Sequence, residues 1–179
     1  MSGHNKWSKI KNKKAVTDAK KSKIFSKYAK LITEESKKVN GDINSPALKS
    51  AIDQSKAVNM PAENISRAVK KGTAIDAVSM EAITYEAYGP GGCAFIIEAL
   101  TDSKNRAAAE VRHILSKNGG YELAAMGSVT WAFKREGNKW VAQNSIPLSD
   151  GDMEKASNLI DLLEDCDDIQ EIFTNISED

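Results

Sequence analysis

Residues 82–100 read AITYEAYGPGGCAFIIEAL, and this stretch decides the fold class. Its first part, 82–88, alternates in the period of two that a half-buried strand requires. Its last part, CAFIIEAL at 93–100, is a nearly continuous apolar run of strand length. Between them Gly89-Pro90-Gly91-Gly92 is a turn of small residues joining two strand patterns. Downstream the period changes. Asn105 to Asn118 is expected to be helical, with Ala108, Val111, Ile114 and Leu115 facing inward and Gly119-Gly120 ending it. SVTWAFK at 128–134 is read as a strand, and 139–143 as a further short one. Ser149 or Asp150 can cap a helix at 152–165 whose apolar positions are Ala156, Leu159, Ile160, Leu162 and Leu163. DIQEIFT at 168–174 makes a last strand. The order ββαβ(β)αβ predicts a sheet with helices on one face, an α+β sandwich of ferredoxin-like type.

Upstream of this stretch the pattern is helical. After a basic arm at 1–13, Ile24, Phe25, Tyr28, Leu31 and Ile32 place one apolar stripe on a helix of roughly 14–38, ended by Asn40-Gly41. Ser45-Pro46 opens a second helix carrying Leu48, Ala51 and Ile52. Pro61 opens a third, with Ile65, Ala68 and Val69 on one side and Gly72 as its stop. Residues 73–79 read as a linker. The expected organisation is therefore a basic three-helix domain at 1–75 and an acidic α+β domain at 76–179.

Composition sharpens the division. The chain has 179 residues, 25 Lys+Arg and 25 Asp+Glu. Residues 1–72 hold 17 of the bases against 6 acids, a net +11, which leaves 8 bases and 19 acids, a net −11, for 73–179. Such polarity points to a partner of fixed charge. No apolar run reaches the ~20 residues of a membrane span, and the start MSGHNKWSKIKNKK lacks the apolar core of a secretion signal. Two cysteines outside any CxxC pair fit a reducing, cytoplasmic setting.

The candidate nucleic-acid-binding residues are Lys6, Trp7, Lys9, Lys11, Lys13 and Lys14 in the arm, and Lys20, Lys21, Lys23 and Lys27 on the first helix. Lys20, Lys23, Lys27 and Lys30 fall three and four apart, so like charges stack along one helix face, an arrangement that a polyanion relieves. Trp7 lies among lysines, where an indole can stack on an exposed base. If about six of these lysines neutralise phosphates, log K falls against log salt with a slope near −4 to −5. Arg67, Lys70 and Lys71 end the third helix, where they complement its dipole or extend the basic patch. The arm lacks the apolar face of a membrane-surface helix.

Catalytic chemistry is not expected, nor is a cofactor or metal. Glu110 and His113 lie three apart on one helix, but two residues do not make a metal site. Cys93 and Cys166 have no visible base, and the GPGG turn is not followed by a Walker lysine.

These residues also carry a resemblance. Gly3-His4-Asn5-Lys6-Trp7, Ile10-Lys11 and Lys14-Ala15 resemble the opening of the YebC/PmpR family, as do Asp18-Ala19-Lys20, Lys23-Ile24-Phe25, Asn59-Met60-Pro61 and Arg67-Ala68. The likeness continues through Tyr85-Glu86, Tyr88-Gly89-Pro90-Gly91-Gly92, Thr101-Asp102, Asn105-Arg106 and Ala109-Glu110-Val111-Arg112-His113. It ends with Gly127-Ser128-Val129, Leu162-Leu163-Glu164-Asp165 and Thr174-Asn175. Two departures stand out. The family's inserted third domain is missing near 136–140, where Arg135-Glu136-Gly137-Asn138-Lys139 runs almost directly into Trp140. Ala107 replaces the Thr that the family commonly has after Asn-Arg.

The resemblance implies a non-enzymatic, cytoplasmic DNA-binding transcriptional regulator. As a second reading it admits a translation factor bound to ribosomal RNA that relieves stalling, as in the related mitochondrial translational activator of cytochrome c oxidase. Physical reasoning does not favour base reading of DNA. There is no convincing helix-turn-helix and few Arg, and a lysine is a point charge suited to phosphate. A third expectation is weak self-association of the two oppositely charged halves.

Overall fold

The computed structural model describes residues 18–137 and 139–177, which form two compact units, 18–81 and 82–177. The chain is of mixed α+β class, with helices first and an antiparallel sheet after them.

The first unit holds helices α1 (Asp18–Lys38), α2 (Pro46–Ala57) and α3 (Ala62–Gly72). Their apolar sides meet in one core. Ile32, Leu48, Ala51, Met60, Ile65 and Ala68 are buried, with Phe25, Tyr28 and Leu31 packed against them. The Asn40-Gly41 stop forms as expected, both residues taking positive φ. α2 and α3 are joined by four residues, of which Asn59 is left-handed at φ +61°. The closest helix contact is that of α1 with α3. Thr33 Oγ1 donates to the Ala68 carbonyl at 3.2 Å and Ser36 Oγ to the Val69 carbonyl at 2.7 Å. Residues 73–80, read from sequence as a linker, instead strap back over α1. Lys37 Nζ donates to the Ala77 carbonyl at 2.9 Å, and the Met80 N–H to buried Glu34 at 3.4 Å.

The second unit is built on four strands in the order β3–β1–β2–β6: β1 (Glu81–Tyr88), β2 (Ala94–Thr101), β3 (Leu123–Ala124) and β6 (Ile169–Thr174). β1 pairs antiparallel with β3, and β2 with β6. Helix α4 (Lys104–Lys117) follows β2, and α5 (Asp150–Glu164) precedes β6. Both start on a serine that accepts a backbone N–H three residues on: Ser103 from Arg106, and Ser149 from Asp152. Phe95, Ile97 and Ala99 of β2 face these helices and meet Val111, Leu115, Leu159 and Leu163.

The alternate β2 residues, Ala94 and Ile96, pack on the opposite face against Val129, Ala132, Phe133, Trp140 and Phe173. The cover there is a hairpin of β4 (Phe133–Glu136) and β5 (Lys139–Ala142). Two-sided burial is why 93–100 is apolar at nearly every position.

The reading of 128–134 as one strand is corrected. Only Phe133 onward is extended, and Thr130–Ala132 is a 3-10 turn. Gly127, left-handed at φ +87°, starts this bend. Strand β3 carries no sequence signal, being two residues long.

One contact decides how closely α1 and α3 approach. A Cβ built on Gly72 would lie 2.4 Å from the Thr33 carbonyl oxygen and 2.7 Å from Ser36 Cβ. Backbone cannot yield as a side chain can. The overpacking cost of about 1–3 kcal/mol therefore exceeds the helix-propensity gain of roughly 1 kcal/mol from replacing Gly. Gly72→Ala is expected to destabilise the helical unit, which urea unfolding followed by helical circular dichroism will read as a lower midpoint. An unchanged midpoint would contradict the close packing.

Candidate nucleic-acid interface

Helix geometry arranges the basic side chains of the first unit. At 100° per residue, Lys20, Lys23, Lys27 and Lys30 lie on the side of α1 opposite Phe25, Ala29, Ile32 and Ser36, the side that builds the core. The stripe expected from spacing is therefore present over the described residues. It is not a freely solvated face, because all four lysines are half-buried. Lys21 stands beside the stripe, exposed, with Asp18 at 3.8 Å. Lys37 and Glu34 continue the same side toward the C-terminus, where the 73–80 strap crosses. The strap thus confines the lysine stripe to the N-terminal half of α1. Lys6, Trp7, Lys9, Lys11, Lys13 and Lys14 lie outside the described residues.

Arg67, Lys70 and Lys71 are exposed on α3, whose other side, Ile65, Ala68 and Gly72, is buried. Arg67 is held by Glu63 at 2.8 Å, an exposed pair of the kind that contributes ~1 kcal/mol or less and exchanges readily. Lys70 and Lys71 sit in the last turn, where they favour the helix dipole. The Lys70 carbonyl is taken by the hydroxyl of Thr73 at 2.9 Å. Gly72 meets α1 at the level of Thr33. Along the α1 axis that level is about 5 Å from Lys30 and about 20 Å from Lys20. The two basic groups thus lie on different faces of one unit, one on the side of α1 away from the core and one on the side of α3 away from it, rather than in a single cluster.

In the second unit, residues that carried the family resemblance prove to hold the fold. Arg106 bridges Asp102 at 2.7 Å and buried Asp168 at 2.9 Å, while Thr101 Oγ1 donates to the same Asp168 oxygen at 3.0 Å. Hydrogen bonds from the guanidinium to Asp168, and next to Asp102, push its pKa above the ordinary Arg value. The network ties the start of α4 to the start of β6. Buried Glu86 accepts the N–H groups of Gly127 at 2.7 Å and Val129 at 2.8 Å, so the Tyr-Glu and Gly-Ser-Val segments meet in space. Asn175 is 1% exposed; its Oδ1 accepts from Ala94 N–H at 2.7 Å and its Nδ2 donates to the Asn144 carbonyl at 2.9 Å.

Beside the Glu86 clamp lies a pair that sequence reasoning missed. Tyr88 Oη donates to the Ser128 carbonyl at 2.6 Å and accepts from Trp131 Nε1 at 3.2 Å, leaving both rings exposed. Reading 128–134 as a strand hid it, since the pairing needs the 3-10 turn.

The side chains screened for chemistry are otherwise placed. Glu110 and His113 are exposed on α4, and among the described residues no group of three or more His, Cys, Asp or Glu could hold a metal. Cys93 is buried, and burial pushes its thiol pKa up to about 12, so it stays protonated. The GPGG turn is built for packing. Gly91 has φ +62°, and a Cβ there would meet Leu148 at 2.6 Å, while one on Gly89 would meet the Phe95 ring at 2.3 Å. Among the described residues no helix is long and apolar enough to cross a membrane.

Comparison with known proteins agrees with this architecture. Residues 5–75 match the family described as TACO1/YebC protein N-terminal domain. Residues 80–139 and 137–176 match TACO1/YebC second and third domain. The chain belongs to the TACO1/YebC family. A "Probable transcriptional regulatory protein" of Chloroherpeton thalassium is 38% identical over 239 residues, covering 98% of this chain and 95% of that protein. One of the same name from Desulfatibacillum aliphaticivorans is 53% identical over 139 residues, 76% of this chain and 56% of its own length. The solved structure of "a Conserved Hypothetical Protein Aq1575 from Aquifex Aeolicus" superposes with a TM-score of 0.82 at 27% identity, covering 96% of both chains. The 239-residue alignment is longer than the 179 residues present here. The family match divides at 137–139, beside the Glu136–Lys139 pair that ends the β4–β5 ladder and where the sequence reading expects the inserted domain to be missing.

Glu86 offers a direct check of the clamp. Glu86→Ala leaves two backbone N–H groups without an acceptor, one of them on fully buried Val129, a loss of about 2 kcal/mol or more. Hydrogen exchange at Gly127 and Val129 is expected to accelerate well before global unfolding. Protection equal to that of the parent protein would show that the carboxylate does not hold the loop.

Proposed function

We propose that this chain is a non-enzymatic regulatory protein that binds nucleic acid through its helical unit and the basic arm before it, with DNA as the favoured target. The observation that carries this reading is the concentration of basic side chains on the outward sides of two helices of one small unit. It comprises the Lys20–Lys30 side of α1 and exposed Arg67, Lys70 and Lys71 of α3, inside a segment of net charge +11. Basic side chains so concentrated gain free energy beside phosphates by releasing counterions. The names of the relatives, probable transcriptional regulatory proteins, supply the regulatory role and the preference for DNA. Lysine-dominated contacts position a protein on a backbone without reading bases. The binding is therefore governed by backbone and shape, with Arg67 the one planar fork of the helical unit suited to a base edge or a bidentate phosphate contact. The proposed place of action is the cytoplasm, in keeping with two buried cysteines outside any disulfide.

Duplex binding by the full chain, measured between 50 and 300 mM salt, tests the reading. Each lost phosphate contact is expected to flatten the slope of log K against log salt by about 0.9. The Arg67→Ala, Lys70→Ala, Lys71→Ala triple variant should therefore lose about two to three in slope, together with roughly tenfold or more in affinity at the lowest salt. A slope equal to the parent's would remove α3 from the interface. Crosslinking in cells followed by sequencing then identifies the target: discrete promoter sites uphold DNA, whereas discrete ribosomal RNA positions would replace it with a ribosome-bound translation factor.

A further inference from the structure

We infer that the Tyr88–Trp131 pair in the second unit is a stacking platform for unpaired bases of a single-stranded nucleic acid; the inference rests on the nucleic-acid reading above and extends it to a second contact surface. Trp131 is 57% exposed, Tyr88 40%, and Met126 on the same loop 93%. Isolated apolar side chains on a surface need no explanation, but these are held together by side-chain bonds.

The polar handle of each ring is consumed internally. The Trp131 indole N–H is spent on Tyr88 Oη, and the Tyr88 hydroxyl proton on the Ser128 carbonyl. What the pair offers outward is ring surface without a donor. The rings are also prepositioned. Ser128 lies between Gly127 and Val129, whose N–H groups are fixed by the buried Glu86 carboxylate, and Tyr88 follows two residues after Glu86 on the same strand. A rigid aromatic surface loses little entropy on binding, which is the property that base stacking exploits.

Charge identifies the occupant as nucleic acid rather than an apolar protein surface. Trp131 runs into β4 within two residues, and the β4–β5 hairpin carries Lys134, Arg135 and Lys139 within six positions; Arg135 is held by Glu98 of β2 and Lys134 by Glu136. These are three of the eight bases in 73–179, a half that is otherwise acidic. Lys134 is three residues from Trp131, at most about 10 Å along extended chain, within reach of the backbone of a strand stacked on the indole. Its partner Glu136 is half-exposed, so the pair can give way to phosphate at little cost. Of the eleven acids among the last thirty residues, six (150, 152, 154, 161, 164, 165) belong to α5 or its C-cap, and α5 packs on the helix-covered face, not the hairpin face.

Stacking on an aromatic side chain tolerates any base and is worth enough that alanine replacement weakens binding about tenfold or more. The test uses the whole 179-residue chain with a fluorescently labelled twelve-nucleotide oligothymidylate and with a duplex of equal length. Trp131→Ala is expected to lose about tenfold on the single strand, leave the duplex within about twofold, and keep the salt slope, since no charge is removed. Trp131→Phe, which retains a ring, should restore most of the single-strand affinity. Single-strand affinity unchanged in Trp131→Ala would overturn the platform while leaving duplex binding, and with it the proposed function, intact. Equal losses on both substrates would overturn it too, by showing a general defect. A parent protein that binds neither substrate would end both readings. Trp131→Ala that converts a concentration-dependent dimer into a monomer, with single-strand affinity unaltered, would reassign the surface to a second copy of the chain.

Discussion

The second unit depends on one strand being dry on both sides. β2 is covered by α4 and α5 through Phe95 and Ile97, and by the β4–β5 hairpin through Ala94 and Ile96. A strand so placed has no face left for polar residues, and its one partly exposed acid, Glu98, is held by Arg135 at 2.9 Å and Trp140 Nε1 at 3.0 Å. The same two groups stack on each other, the guanidinium 4.8 Å from the ring centroid. An acid that interrupts an apolar run thereby becomes the anchor of the layer that covers it.

The two units assign their charged residues to different work. In the second, the ionic and amide groups of the family-like segments close on one another: Arg106 with Asp168, Glu86 with the 127–129 backbone, Asn175 with Ala94 and Asn144. Removing one partner from such a buried arrangement strands the other, so these positions are constrained by folding before any ligand is considered. In the first unit, by contrast, the helices are held chiefly by apolar packing and two hydroxyl-to-carbonyl bonds, and their lysines and Arg67 lie outside that core. Of these, Arg67, Lys70 and Lys71 are exposed on α3.

How far this could be read from the chain follows the same division. Helices and long strands were legible because their burial is periodic: α1 to α3, β1, β2, α4, α5 and β6 all lie within a few residues of where spacing puts them. The lysine side of α1 was legible for the same reason. What escaped depends on side chains gripping backbone far away in sequence. A Glu within an alternating strand reads as solvent-facing, so nothing announced that Glu86 would bend residues 127–132 out of strand geometry, forty-odd positions later. The strap at 73–80 escaped likewise, since its anchors, Lys37 and Glu34, look like ordinary surface charges.

The pairing of β2 with β6 sets an order on chain synthesis. The helical unit closes all its described contacts by residue 81, and can fold once that much chain has emerged. The sheet cannot. Its central strand waits for β6, and the amide that locks the two, Asn175 against Ala94, spans 81 residues. Until β6 has been made and has paired, β2 presents an unpaired apolar edge, the state most exposed to mispairing with another chain. Loss of β6 or of the Asn175 amide would therefore act on the folding of the whole second unit, while the basic helices ahead of it would already be complete.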